Sequence, residues 1–300
     1  MDRQRLYDVM MGLAIGDAVG VPAEFKSRWV LQDNPILDMI GYCGVWNKPK
    51  GTWSDDTSMA LASLDALNKN NWIVNEKTLI DTMDNFVKWY KEGAFTSDGD
   101  RFDIGNTCRE ALSNYINHGL KNCGINHEYS CGNGALMRIA PLAFTNSTLI
   151  KDIAREVSEL TKITHAHDRC IATNVIYITY LRLILKGVDK VDAYKKVCEK
   201  YKSFDILRGD LADNIDSDTL SGRGFCVSTL NTAIWAVLSS ESYKECILKA
   251  INIGDDTDTT AAVAGALAGA VYGIKGIPQD WVDSLINREL IEKLCNGGTD

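Results

Sequence analysis

Prolines are scarce in this chain, five in 300 residues, and no Ser/Gly-rich stretch separates one part from another. Linkers and domain boundaries leave such marks, so one unit spanning residues 1–300 is expected. Basic runs are missing too. The formal charge is −8 and the isoelectric point about 5.1, the reverse of the basic stripe carried by nucleic-acid proteins. No C-x-x-C pair occurs among nine scattered cysteines, which argues against the common structural zinc frameworks. An odd number of cysteines without a framework reads as reduced thiols in a cytoplasmic protein. The small-residue stretch 261–271 falls well short of the ~20 apolar residues that span a bilayer. Arg3 and Arg5 followed by apolar residues 9–15 have the outline of a signal peptide, but Asp17 interrupts the run. Neither a membrane nor a nucleic-acid partner is expected.

What the chain does have is 45% hydrophobic residues, enough for a large core, spaced almost everywhere at i, i+3, i+4. The spacing predicts helices over 4–15, 57–69, 76–91, 107–118, 149–162, 168–186, 190–201, 225–238, 242–252, 259–273 and 279–294. Strand-like alternation is rare and no βαβ rhythm appears, so the expected class is all-α. The unusual residues gather in the segments between helices: 16–27, 41–56, 93–106, 122–138, 203–224 and 253–258.

Two of these segments end in acidic clusters, Ser54-Asp55-Asp56-Thr57 and Gly254-Asp255-Asp256-Thr257-Asp258-Thr259, each running directly into an apolar helix. Capping a helix takes one Ser, Thr or Asp. It does not account for two or three. Adjacent carboxylates resist burial unless a cation or well-placed donors neutralise them. Should the fold bring the two helix starts together, the result is an oxygen-lined space suited to a hard divalent cation such as Mg²⁺ or Mn²⁺. The later acids Asp210, Asp213, Asp216 and Asp218 read instead as a solvated loop.

Other motifs are weaker one by one. Gly16-Asp17-Ala18-Val19-Gly20-Val21-Pro22-Ala23-Glu24 looks like a helix C-cap and turn, which leaves Glu24 over. Cys131-Gly132-Asn133-Gly134-Ala135 opens a short helical segment, where glycines let backbone N–H groups approach an anion; Arg138 would add a charge-assisted contact to phosphate. A plain tight turn explains the same glycines. Thr164-His165-Ala166-His167 holds two of four histidines, and without a third soft ligand a hydrogen-bonding role is favoured over zinc. Asn106 or Thr107, after Phe102-Asp103-Ile104-Gly105, would cap a helix. Phe225, after Ser221-Gly222-Arg223-Gly224, is either core or a stacking platform for a base.

Taken in order, GLAIGDAVGVPAEF, GTWSDDTSMALA, FDIGNT, GNGALMRIAPLA, THAH, SGRGFCVSTLNTAIWA and GDDTDTTAAVAGALAGAVYG resemble the ADP-ribosylglycohydrolase family, the group containing dinitrogenase reductase-activating glycohydrolase and the vertebrate ADP-ribosylhydrolases. The resemblance runs from about Gly12 to Gly273. It implies a compact, single-domain, orthogonal helical bundle holding two divalent cations, Mg²⁺ or in some members Mn²⁺. By position the ligands would be Ser54, Asp55, Asp56, Asp256, Asp258 and Thr259. Glu24 matches the family glutamate near the metals, implicated in catalysis or in gating the site, and Asp103 and Asn106 match a substrate-side Asp and Asn; Glu24 and Asp103 are the expected catalytic carboxylates. Gly132, Asn133, Gly134 and Ala135 would cradle the diphosphate, with Arg138 beside them, His165 near the bound ADP-ribose and Phe225 facing the adenine. Ser54 stands where many members have threonine, which keeps the hydroxyl. Arg223 and the acidic loop before it fall in a variable region, so fine specificity does not transfer.

The implied reaction is hydrolysis of the C1″ glycosidic bond between ADP-ribose and an acceptor, with arginine preferred and an ADP-ribosylated protein or small molecule as substrate. Carboxylates near C1″ would stabilise the oxocarbenium character that develops there. Serine- or small-molecule-linked conjugates, a two-metal phosphohydrolase releasing AMP, and a non-catalytic ADP-ribose-binding relative are the other readings left open.

Overall fold

The computed structural model describes residues 2–213 and 215–300. Thirteen α-helices account for the regular structure among them: α1 (Arg3–Gly20), α2 (Arg28–Asp33), α3 (Asp55–Lys69), α4 (Glu76–Glu92), α5 (Asn106–His118), α6 (Ile150–Lys162), α7 (Asp168–Leu185), α8 (Lys190–Tyr201), α9 (Cys226–Leu238), α10 (Tyr243–Ile251), α11 (Thr257–Tyr272), α12 (Gln279–Ser284) and α13 (Arg288–Cys295). No strand forms among the described residues; two isolated bridges, Ile125 to His165 and Gly132 to Phe225, stitch loops together. The fold is all-α.

At its centre α1 lies against α11 with almost no side chain between them. A Cβ on Gly12 would sit 2.3 Å from the Gly265 carbonyl oxygen, and one on Gly16 would sit 2.2 Å from that of Ala261. Gly265 and Gly269 press on α1 in the same way, against the carbonyls of Gly12 and Asp8. Backbone contact of this kind requires glycine on the facing stripe of both helices. Tyr243 on α10 donates its hydroxyl to the Gly12 carbonyl at 2.6 Å, and Tyr177 on α7 donates to that of Val263 at 3.2 Å. The remaining helices wrap this pair, and one hydrophobic core runs from Leu6 to Cys295. The segment Arg3–Ala23, α1 and the turn after it, is long and apolar enough to cross a membrane, yet from Asp8 to Gly20 every residue is buried inside the fold.

The boundaries read from periodicity need four corrections. α1 does not end near residue 15 in a glycine cap: Gly16 and Gly20 lie within the helix, which continues to Gly20 and a short 3₁₀ turn at Val21–Ala23. The glycines serve helix packing, as a Cβ on Gly20 would meet the Asp258 backbone at 2.4 Å. α3 and α11 each begin two residues early, at Asp55 and Thr257, so parts of both acidic clusters lie inside first turns. The expected 279–294 helix is broken into α12 and α13, because Asn287 turns left-handed at φ 55 and Ile286 donates its N–H to the Gly51 carbonyl. Finally α2 lacks a strong apolar period. Its Arg28 reaches the carbonyls of Ser217, Leu220 and Ile253, and Asp218, tying the acidic loop down.

Candidate active site

The α1–α11 contact aims the last turn of one helix at the first turn of the other, and α3 completes the meeting point. Asp17, fully buried on α1, accepts from the backbone N–H groups of Ser54 and Thr57 at 3.0 Å and from the Thr57 hydroxyl at 2.6 Å. It therefore caps α3 from another helix. Ser54 is the local N-cap and donates its hydroxyl to Asp56 Oδ2 at 2.9 Å, an oxygen that Thr259 also reaches at 3.3 Å. That bond joins the two acidic clusters across 203 residues of chain.

The other oxygens of the cluster are less well served. Asp56 Oδ1 and Asp258 Oδ2 are buried with no hydrogen-bond partner. Single carboxylate oxygens from Asp17, Asp56 and Asp258 lie within 4.8 Å of one another, and so do oxygens from Glu24, Asp103 and Asp258. Burial, followed by mutual repulsion, holds the carboxyls of Asp55, Asp56 and Asp258 well above the usual range. Burial raises Asp17 to about 6, against the pull of its donors. Orphaned buried oxygens in an all-oxygen donor set fit a hard cation, which would supply the missing partner.

A cavity of about 370 Å³ opens beside this cluster, with Glu24, Asp55, Asp103, Asp256 and Thr259 on one wall. Glu24 follows the 3₁₀ turn after α1 and accepts a hydrogen bond from the Trp46 indole N–H. Burial first, then the Asp103 charge, push its carboxyl up to about 8. Asp103 sits at φ 53 with its carboxylate turned back to the Ile104 N–H at 2.8 Å, and burial raises it as well.

The Gly132–Gly134 loop continues the lining. Asn133 donates its side-chain N–H to Asp256 Oδ2 at 2.9 Å and to Thr229 at 3.0 Å, so it positions a cluster carboxylate. A Cβ on Gly134 would lie 2.8 Å from Cys108 Sγ and 3.0 Å from His165 Cε1; one on Gly224 would lie 2.7 Å from Asp256 Oδ2. His165 is buried against this loop, its Nδ1 paired with the Thr164 hydroxyl at 2.8 Å. Burial and the Arg138 charge lower it to about 3, so a neutral imidazole faces the cavity.

Most of the residues singled out in the sequence converge here: Glu24, Ser54, Asp55, Asp56, Asp103, Asn106, Gly132, Asn133, Gly134, His165, Asp256, Asp258 and Thr259. Ser54, Asp56 and Asp258 sit in the acidic cluster behind the lining, and three others lie away from the cavity. Ala135 is buried behind the loop. Phe225, 37% exposed, stands outside beside Gly224 with the Arg169 guanidinium 5.7 Å over its ring. Arg138 corrects the expectation of a phosphate contact: it is fully buried, donates to Thr164 Oγ1 at 2.9 Å and the Leu160 carbonyl at 3.2 Å, and lies over Phe86. It acts behind His165, not on the cavity surface. Asp17, Phe25 and Trp46 were missed as site residues. Only Asp17 carried a signal, an acid within an otherwise apolar helix.

Comparisons with known proteins bear on the family and the fold. Residues 1–298 match the family model for ADP-ribosylglycohydrolase. The chain is 34% identical to the ADP-ribosylarginine hydrolase Tri1 of Pseudomonas putida (strain GB-1), over 97% of this chain and 76% of that protein. It is 27% identical to the ADP-ribosyl-[dinitrogen reductase] glycohydrolase of Rhodospirillum rubrum, over 95% and 92%. A solved structure described as an ADP-ribosylglycohydrolase-related protein complex superposes with a TM-score of 0.80 at 29% identity, covering 98% of this chain and 96% of that one. With a match over nearly its whole length and a buried acidic cluster facing an open cavity, the chain belongs to the ADP-ribosylglycohydrolase family and is a glycohydrolase.

Proposed function

We propose that this enzyme releases ADP-ribose from ADP-ribosyl-arginine in modified proteins, using two divalent cations, Mg²⁺ or Mn²⁺, in a cytoplasmic setting. The observation that carries the reading is the pair of orphaned carboxylate oxygens, Asp56 Oδ1 and Asp258 Oδ2, buried beside a cavity walled by Glu24 and Asp103. The arginine acceptor draws support from the likeness to proteins named as ADP-ribosylarginine hydrolases. The cytoplasmic setting rests on nine free cysteines.

Ser54, Asp55, Asp56, Asp256, Asp258 and Thr259 are the residues that would hold the cations, with Asp17 fixing their orientation from behind and Asn133 from the cavity lining. Bound there, divalent cations would supply positive charge for the ribose hydroxyls and make nearby water more acidic. The rest falls to the chain. The Gly132 and Gly134 N–H groups and the neutral His165 imidazole present donors to the diphosphate end without adding charge, the Asn133 N–H being taken by the Gly224 carbonyl. Asp103 faces C1″ and offsets the positive charge that grows there as the glycosidic bond breaks. Burial and the neighbouring Asp103 charge push the Glu24 carboxyl up in the cation-free protein, a direction that suits it to pass a proton to the departing acceptor.

The experiment is release of ADP-ribose from arginine- and serine-linked ADP-ribosyl peptides with Mg²⁺, Mn²⁺ or EDTA, beside an Asp55→Ala/Asp56→Ala control. Metal-dependent release from the arginine peptide, lost in the control, is expected. AMP as product would point to phosphohydrolysis, and ADP-ribose binding without turnover to a non-catalytic relative. Release from the serine peptide alone would move the acceptor to O-linked conjugates.

A further inference from the structure

We propose that Phe25 is an acceptor platform, its exposed ring receiving the guanidinium of the ADP-ribosylated arginine at the mouth of the cavity. The inference rests on the arginine-directed reading above and names the subsite on the acceptor side of the scissile bond.

A lone exposed apolar residue is unremarkable on any protein surface. Phe25 is not of that kind. It is 62% exposed at the cavity mouth, directly after Glu24, and its backbone is left-handed at φ 64, a conformation rare for an aromatic residue. The strain is held in place. The Phe25 N–H donates to the Asp255 carbonyl at 2.7 Å, and the Asp255 N–H donates to the Lys26 carbonyl at 2.8 Å. Asp255 is itself left-handed at φ 62. The two strained residues lock the Phe25 turn to the acidic turn that supplies Asp256 and Asp258. Such strain persists only where surrounding contacts enforce it, and it concentrates at functional sites.

The ring is also braced from one side. Trp46 packs against it with centroids 6.5 Å apart, Phe102 packs against Trp46 at 5.3 Å, and Lys48 lies 4.8 Å over Phe102 while paired to Asp98 and Asp100. Trp46 donates its indole N–H to Glu24, which links the aromatic row to the carboxylate. Bracing on the Trp46 side leaves the rest of the Phe25 ring open to solvent.

Charge selects what would use it. Asp55 and Asp256 would be engaged by cations, which leaves Asp103, beside Glu24, to meet a guanidinium, and the described lining carries no lysine or arginine. A planar guanidinium can stack on an aromatic face while its N–H groups reach flanking carboxylates. A neutral serine acceptor gains neither contact.

The test is steady-state hydrolysis of arginine- and serine-linked ADP-ribosyl peptides by wild type, Phe25→Ala and Phe25→Tyr, with ADP-ribose affinity measured by calorimetry. Phe25→Ala is expected to raise KM for the arginine peptide roughly 3- to 30-fold, the span of a lost cation–π contact, with the loss falling on KM and not on kcat. Phe25→Tyr restores the wild-type KM. ADP-ribose affinity stays within about two-fold, which also shows an intact cavity, and any serine-peptide KM moves less than the arginine one. An unchanged arginine-peptide KM in Phe25→Ala overturns the platform alone. So does an equal loss of ADP-ribose affinity, which would put the ring on the nucleotide side. No arginine-peptide release by wild type overturns the platform and the arginine reading together.

Discussion

Asp17 Oδ2 lies 2.6 Å from the Thr57 hydroxyl and 3.0 Å from the Thr57 N–H, so a carboxylate from the buried last turn of α1 caps a second helix. This contact seats the first acidic cluster on the α1–α11 pair. Asp17→Ala leaves the Ser54 and Thr57 N–H groups without partners in a dry interior, a loss of about 1–3 kcal/mol. A fall in the midpoint of chemical denaturation is expected, together with weaker Mg²⁺ stabilisation. An unaltered midpoint would sink the capping role.

Glycine on the α1–α11 stripe is a steric requirement. Gly16→Ala places a methyl 2.2 Å from the Ala261 carbonyl, so the two helices must separate. A loss of about 3 kcal/mol or failure to fold is expected. Gly209→Ala, which meets nothing within 4 Å, is the matched control and should stay within about 0.5 kcal/mol of wild type.

The acidic cluster makes stability depend on pH with a definite sign. A carboxyl whose pKa is raised by folding binds more protons folded than unfolded, so stability falls as pH rises through the window. For Glu24 that window runs from about 4.5 to about 8, and Asp55, Asp56 and Asp258 are shifted in the same direction. Without divalent cations the Tm should therefore fall between about pH 5 and pH 8. Added Mg²⁺ should raise it more at the upper end, where the repulsion is greatest. A cation-free Tm that rises across this range would contradict the arrangement.

Arg138 supports the site from inside the core. Arg138→Met keeps most of the volume and removes the donor to Thr164, so the His165 ring loses its fixed partner chain. Weaker ADP-ribose binding is expected, with the same dependence on salt as wild type, because no charge–phosphate contact has been lost. A flattened salt dependence would instead place the guanidinium on the ligand.

Much of the site was legible because its chemistry is repeated in short runs. Asp55-Asp56 and Asp256-x-Asp258 exceed what helix capping needs, and the surplus is visible without coordinates. Arg138 misled for the opposite reason: a basic residue after a Gly-Asn-Gly loop fits a phosphate contact and a buried brace equally well. Phe25 and Trp46 gave no warning, since neither belongs to a periodic or charged pattern and their partnership arises from loops. The α1 boundary was misread because glycine at four-residue spacing suits both a cap and a close helix pair. Only the matching spacing of Gly265 and Gly269 hints at the second.

The class of the fold and the identity of the acidic clusters follow from local rules: a 3.6-residue apolar period, and carboxylates in numbers that a helix start does not use. Those rules act over a few neighbouring residues and can be read along a line. Direction is another matter. Whether Arg138 points at a ligand or at Thr164, which carboxylate oxygens are left without donors, and how an exposed Phe25 comes to be braced beside Glu24 all depend on residues far apart in the chain. Backbone contact between α1 and α11 decides them, because it sets the distance and rotation at which every other helix start meets the cluster.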